Sequence, residues 1–183
     1  MRASPDRDPL TVTRPALLQD GGDRAFREFV HDLLAFTARL QAIRDGFGGF
    51  LGLTGPQYTV LISIAHLERQ GEVHVGTVAE HLHYSGAYVT IETGRLAAKG
   101  LITKRPSAGD RRRVRLAVTP AGRALLDALA AEQARVNDLL FAPLEAGDFA
   151  RLRALLPALV DSAEAAQARL AAAVRDRRAE AAE

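Results

Sequence analysis

Between Lys99 and Arg115 the chain sets seven basic residues, Lys99, Lys104, Arg105, Arg111, Arg112, Arg113 and Arg115, against a single acid, Asp110. Cations at this density suit one task above others, the neutralisation of a polyanion. The whole chain carries a formal net charge of only +2, so everything outside this block is net acidic and the footprint is local. Just upstream, Ser85, Tyr88, Thr90, Thr93 and Arg95 supply donors and acceptors along a helical stretch. Side chains of these types hydrogen-bond to base edges and phosphates of duplex DNA. The plain alternative for the basic block is a solvated charge run.

Other chemistries find little support. Ser63, Ser85, Ser107 and Ser162 lack a Gly-x-Ser-x-Gly elbow, and Gly94–Gly100 lacks the order of a phosphate-binding loop. Asp161 and Glu164 follow the spacing of a helix surface. The chain has no cysteine, which excludes thiolate nucleophiles, disulfides, thiol switches and Cys-ligated zinc. His81 and His83 stand two apart, whereas a metal pair on one helical face wants four. No enzymatic activity, no metal and no cofactor are expected.

The elements that must position these groups can be read from periodicity. Residues 1–22 hold three prolines and no sustained pattern, and are expected to form a flexible arm. Phe26, Phe29, Leu33, Phe36, Leu40, Ile43 and Phe47 mark the seam of a long helix over Asp23–Phe47, which Gly46, Gly48 and Gly49 are expected to break. Pro56 opens a second helix with Tyr58, Leu61, Ile62, Ala65 and Leu67 facing inward, ended by Gly71. Val73–Val75 has room for only a minor strand.

Val75–Leu82 reads as a short helix, followed by a turn at His83–Tyr84. Ser85 then caps a helix over Gly86–Lys99 that Gly100 stops. Leu101–Arg105 and Arg111–Val118 read as a two-stranded hairpin across the turn Pro106–Asp110, with Arg113 and Arg115 on one face and Val114, Leu116 and Val118 on the other. Helical spacing resumes after Thr119-Pro120 and breaks at Pro143. A last helix follows over about Ala146–Arg177, with a kink or interruption expected at Pro157. The N-terminus lacks the apolar stretch of a signal peptide, and the longest apolar run, near Tyr58–Ala65, falls short of the roughly 20 residues that span a bilayer. A cytoplasmic protein without membrane association is expected.

Helix, short helix, tight turn, helix and basic hairpin is an order suited to a duplex: a helix fills the major groove and a β-ribbon tip reaches the adjacent backbone or minor groove. Here a family resemblance becomes specific. Asp110–Gly122, DRRRVRLAVTPAG, resembles the wing signature of the MarR family of winged helix-turn-helix transcriptional regulators, Asp-x-Arg, a strand, then Thr-x-x-Gly opening a helix. SGAYVTIETGRLAAKGLITKRPSAGDRR before it resembles the recognition helix and first wing strand, and Leu53–Tyr58 resembles the opening of the preceding helix.

The resemblance implies a mostly α fold, a winged helix-turn-helix domain with a small β-hairpin wing plus N- and C-terminal helices forming a dimerisation domain. Its expected segments are a 1–22 arm, a 23–52 dimerisation helix, a 53–122 DNA-binding domain and 123–183 C-terminal dimerisation helices. It implies a homodimer on the double-stranded DNA of a pseudo-palindromic operator, acting as a repressor that a small aromatic or phenolic acid releases. The expected DNA-binding residues are Ser85, Tyr88, Thr90, Thr93, Arg95, Lys104, Arg105, Asp110, Arg111, Arg112 and Arg113, with Asp110 orienting Arg112. His31, Arg39, Tyr58 and His66 are candidates for the effector pocket; ordinary half-buried helix residues are the competing reading. Urate-sensing members carry an acid where this chain has Thr59 and an arginine where it has Glu92, so urate is not expected. Peroxide sensing needs the cysteine this chain lacks. The alternative from another class is a small-molecule-binding or protein-interaction dimer with a wing that is basic for other reasons.

Overall fold

Thr54 and Gln57 start the helix that organises the first part of the chain. In the computed structural model, which describes residues 9–107 and 113–181, the Gln57 N–H donates to Thr54 Oγ1 at 3.3 Å and Gln57 Oε1 accepts from the Thr54 N–H at 3.4 Å. This reciprocal capping box, with Pro56 in the first turn, begins α2 (Gly55–Leu67). The expected inward face was too narrow. Val60 and Ile64 join Tyr58 and Leu61 in near-complete burial, while Ile62 and Ala65 are only half-buried. A helix apolar on most sides belongs in a core, and each such side chain contributes about 1.5–3 kcal/mol.

Helix α1 (Arg24–Phe50) precedes α2 and packs on it. The sequence expectation that Gly46, Gly48 and Gly49 break this helix is corrected: α1 runs through all three. Gly48 serves a different purpose. A Cβ there would stand 2.8 Å from the Thr54 carbonyl carbon and oxygen, so glycine permits the close crossing of α1 over the start of α2. The helix ends instead at Gly52, with φ +66°. There the Leu53 N–H donates to the Gly48 carbonyl at 2.9 Å and the Gly52 N–H to that of Gly49 at 3.1 Å, a Schellman closure.

The same closure recurs twice. Helix α3 (Val75–Leu82) ends at His83, φ 53°, with Tyr84 N–H on the Ala79 carbonyl at 3.0 Å. Helix α4 (Gly86–Ala98) ends at Gly100, φ +70°, with Leu101 N–H on the Leu96 carbonyl at 3.0 Å. Most helix-turn-helix turns favour glycine where φ is positive, and histidine is among the residues that tolerate the region. Ser85 caps α4 as expected, its Oγ accepting from the Tyr88 N–H at 3.2 Å.

The expected hairpin is part of a three-stranded antiparallel sheet. β1 (Val73–His74) pairs with β3 (Val114–Val118), which pairs with β2 (Ile102–Pro106). The two-residue β1 reaches β3 because Val73 sits opposite Leu116, both buried. Leu116 and Val118 face the core as expected, but Val114 is exposed. The Thr-x-x-Gly motif has a physical basis. Thr119 Oγ1 donates to the Gly100 carbonyl at 2.7 Å and accepts from the Gly122 N–H at 3.0 Å, starting α5 (Pro120–Leu140). A Cβ on Gly122 would collide with the Leu101 carbonyl oxygen.

The chain divides into two compact units between Gln133 and Ala134. In the second, α6 (Ala146–Glu180) runs through Pro157 without the expected interruption. Its apolar positions Leu152, Leu155, Leu159, Leu170 and Val174 are all exposed. In the first, Phe29 and Leu33 of α1 are likewise exposed. Ahead of α1, Asp23 accepts from the Thr11 N–H and Oγ1, each at 2.6 Å, and from Arg27 Nε at 3.1 Å. These bonds, Thr11 first, lower its carboxyl pKa to about 2 and fasten residue 11 to the start of α1. Among the described residues no helix is long and apolar enough to cross a membrane.

The two adjacent glycines of α1 make a matched pair of tests. Gly48→Ala is expected to destabilise the protein by about 1–3 kcal/mol, because backbone atoms must move to admit the methyl group. Gly49→Ala meets open space and is expected to stabilise it by about 0.5–1 kcal/mol. Thermal unfolding of both variants distinguishes crossing from helix stop, since a stop signal would make neither position sensitive to contact.

Candidate nucleic-acid interface

Helix α4 has an anchored side and an offered side. Val89 and Leu96 are completely buried in the cluster formed with Leu61, Ile64, Val78 and Leu116. The offered side carries Gly86, Ala87, Tyr88, Thr90, Ile91, Arg95 and Ala98, all exposed. Thr93 is the exception among the expected reading residues. It is 0% exposed, donating to the Thr90 carbonyl at 3.1 Å and accepting from Lys104 Nζ at 3.3 Å. Counting by residue type put Thr93 on the polar face; its position one turn before Leu96 and one after Val89 puts it in the core.

The neighbouring Glu92 is also buried, at 3%. Its Oε1 accepts from Arg95 Nη1 at 2.6 Å, and its Oε2 is buried with no hydrogen-bond partner among the described residues. Arg95 is 59% exposed in its side chain, so one guanidinium is tied inward at one nitrogen and presents the rest outward. Tyr88 stacks edge-on against Tyr84, ring centroids 5.2 Å apart. Partial burial, then the Glu92 charge, pushes its phenol up, keeping it a neutral hydrogen-bonding group.

Beside α4, the sheet exposes Lys104, Arg105, Arg113 and Arg115. Arg105 and Arg115 are direct cross-strand partners, an arrangement of like charges that disfavours the sheet by itself. Glu72 relieves it only weakly, at 3.8 Å from Arg115 Nε. The strand pair is extended by the Ser107 N–H on the Arg113 carbonyl at 2.9 Å. Asp110, Arg111 and Arg112, the expected wing tip, lie outside the described residues.

A second feature is an open, shallow pocket of about 510 Å³ lined by Gln41, Arg44, Thr59, Ile62, Ser63, His66, His81, Leu82 and Tyr84. Of the four residues expected at an effector pocket, only His66 lines it. His31 and Arg39 are exposed on α1, with Arg39 Nη1 donating to the Ala35 carbonyl at 3.0 Å. Tyr58 is buried under Arg44, whose guanidinium carbon lies 5.5 Å from the ring centroid; burial raises the phenol pKa and Arg44 opposes this.

The arginine lining this pocket is Arg44, not Arg39. Its Nε donates to Thr59 Oγ1 at 3.3 Å. The signal was available in the spacing: Arg44 follows the seam residue Ile43 and stands one turn before Phe47, at the buried end of α1. His66 and His81 stack at 5.7 Å. Burial, and then the neighbouring His66 and His83, lower the His81 pKa and keep it neutral near pH 7. Cation, hydroxyls and imidazoles around an apolar floor suit a small aromatic anion.

Two helices joined by a left-handed turn, the second with a bare face beside a basic sheet, define a winged helix-turn-helix protein. The family model of the MarR family matches residues 51–113. The HTH-type transcriptional repressor NicR of Pseudomonas putida is 38% identical over 70 residues, covering 38% of this chain and 44% of the relative. The chain thus spans less than half the length of the curated relative it matches.

Among solved structures, a probable transcriptional regulator from Pseudomonas aeruginosa is 28% identical with a TM-score of 0.59, over 74% of this chain and 99% of that one. Bordetella bronchiseptica BpsR, described for regulation of its DNA binding by 6-hydroxynicotinic acid, is 26% identical with a TM-score of 0.59, over 73% of this chain and 98% of that one. By these likenesses residues 51–113 resemble the MarR family, and the chain shares the winged-helix fold of the solved transcriptional regulators.

The Glu92–Arg95 pair generates a stability test. Arg95→Ala removes the partner of a buried carboxylate and is expected to cost about 1–3 kcal/mol. Adding Glu92→Leu to that variant is expected to recover most of the loss in thermal denaturation. An Arg95→Ala variant as stable as the parent would show that the pair contributes nothing.

Proposed function

We propose that the chain is a cytoplasmic, non-enzymatic, sequence-specific duplex-DNA-binding repressor that acts as a homodimer and is released by a small aromatic or phenolic acid. The observation that carries this reading is the crowding of exposed cations on the sheet beside the bare face of α4. Arg105 and Arg115 face each other at a cost, and a phosphate backbone lying across them turns that repulsion into attraction. In this reading Ser85, Tyr88, Thr90 and Arg95 meet the major groove. Lys104, Arg105 and Arg113, with Asp110, Arg111 and Arg112 of the wing tip, meet the backbone and minor groove. A second copy covers the bare apolar stripes of α1 and α6 and sets two copies of α4 one helical turn apart.

The cavity supports the regulatory half. Arg44 pairs with the carboxylate of the acid, and Ser63, His66 and His81 hydrogen-bond its ring substituents. Tyr84 both lines this cavity and packs on Tyr88 of α4. A ligand that moves Tyr84 therefore reaches the reading face through one side-chain contact. Its effect equals the difference in its affinity for the two positions of α4, and operator and ligand weaken each other by the same factor.

Two measurements test the two halves. In fluorescence anisotropy with duplexes enriched from a randomised library, binding is expected to weaken steeply with salt. The double variant Arg105→Ala with Arg113→Ala is expected to lower the logarithmic salt slope by about 2. No duplex binding even in dilute buffer would overturn the reading.

For the effector, 6-hydroxynicotinate serves as the aromatic-acid probe and nicotinamide as its uncharged counterpart. The acid is expected to weaken duplex binding by about 5–150-fold, the amide not at all, and Arg44→Ala to abolish the response. Equal responses to acid and amide, or an undiminished response in Arg44→Ala, would place the effector elsewhere.

A further inference from the structure

The polar groups of α4 are less available than their residue types suggest. Thr93 is buried. Thr90 spends its one proton on the Gly86 carbonyl, at 2.7 Å. Ser85 accepts the Tyr88 N–H in capping and keeps its own proton to donate. The long polar side chains on the offered face are Tyr88 and Arg95, and Arg95 is tethered to Glu92. Between them stands Ile91, three residues after Tyr88 and four before Arg95, on the same strip of the helix. It is 53% exposed.

The surroundings of Ile91 on that strip are Ala87, Gly94 and Ala98. Side chains this small let a helix approach its ligand closely, and they leave Ile91 as the highest apolar point on the face. A β-branched side chain has few rotamers to lose on being pinned, so its burial against an apolar partner carries little entropic cost. Within the major groove one base offers such a partner on its edge, the 5-methyl group of thymine.

We infer that Ile91 is a specificity-determining residue that reads a thymine methyl group in each half-site, through the contact of its side chain with the C5-methyl. Arg95, one turn further along, is then placed over a base or phosphate beyond that thymine, toward the C-terminal end of α4. This rests on the duplex-binding reading above and adds to it the chemistry of the base that is read.

The test uses the full chain and a duplex enriched by it from a randomised library. Each thymine is replaced in turn by deoxyuridine, which removes the methyl and leaves every hydrogen-bonding group in place. For the parent protein one thymine per half-site is expected to be sensitive, with affinity falling about fourfold, the size expected for one methyl group returned to water. Ile91→Ala, whose folding is checked by circular dichroism, is expected to bind the thymine and deoxyuridine duplexes equally. Ile91→Val is expected to retain part of the discrimination.

Tolerance of deoxyuridine at every thymine, or discrimination that persists in Ile91→Ala, would overturn the inference while leaving duplex binding intact. Failure to enrich any duplex would overturn both, and is distinguished by the absence of binding rather than the absence of discrimination.

Discussion

Burial of one side of α4 is the constraint on which the rest of this structure turns. Val89, Thr93 and Leu96 are completely buried, so the helix cannot rotate about its axis without drawing a polar or charged side into the core. Whatever faces outward is therefore fixed by what is gripped inward. The grip is made by α2, itself enclosed on most sides, and by Val78 of α3 and Leu116 of β3. Three left-handed residues, Gly52, His83 and Gly100, set the directions in which α1, α3 and α4 hand the chain on. Each closes its helix with the same pair of backbone bonds, so the geometry relies on main-chain hydrogen bonding more than on loop sequence.

Around that frame the electrostatics are unbalanced in a way that stability alone does not require. A buried carboxylate on Glu92 keeps one oxygen without a partner among the described residues, and two arginines oppose each other across the sheet. Both features oppose folding of the isolated chain. Both gain a purpose if the outward face meets a phosphate backbone, the arginines directly and Glu92 by holding Arg95 in one place. Small costs retained at one surface commonly mark where a protein acts. The cavity beneath repeats the pattern, with Arg44 drawn over the Tyr58 ring beside a stacked pair of histidines.

Much of this was legible from residue types. Helix order, the Ser85 cap, the positive φ at His83 and the wing strands follow from local chemistry: a hydroxyl before a helical run, a turn that must pass through the left-handed region, alternation across a Pro-Gly turn. What was illegible depended on tertiary contact. Gly48 looks like a breaker in isolation and is a crossing point once Thr54 lies against it. Thr93 reads as polar by type yet is buried, while the apolar Ile91 is exposed. Arg39 and Arg44 are equivalent in type; only the packing of Tyr58 and Thr59 against α1 separates them. β1 is too short to be seen without Leu116 opposite.

The claim that α4 offers its face to the major groove can be measured by position, because the chain has no cysteine of its own. A single cysteine in place of Ala87, tagged with a DNA-cleaving iron chelate, is predicted to cut an enriched duplex at two clusters, one per half-site, about 10 base pairs apart. The same tag in place of the exposed Asp32 on α1 is predicted to leave the duplex whole. Cutting from position 32 with none from position 87 would contradict the assignment of α4 as the reading helix.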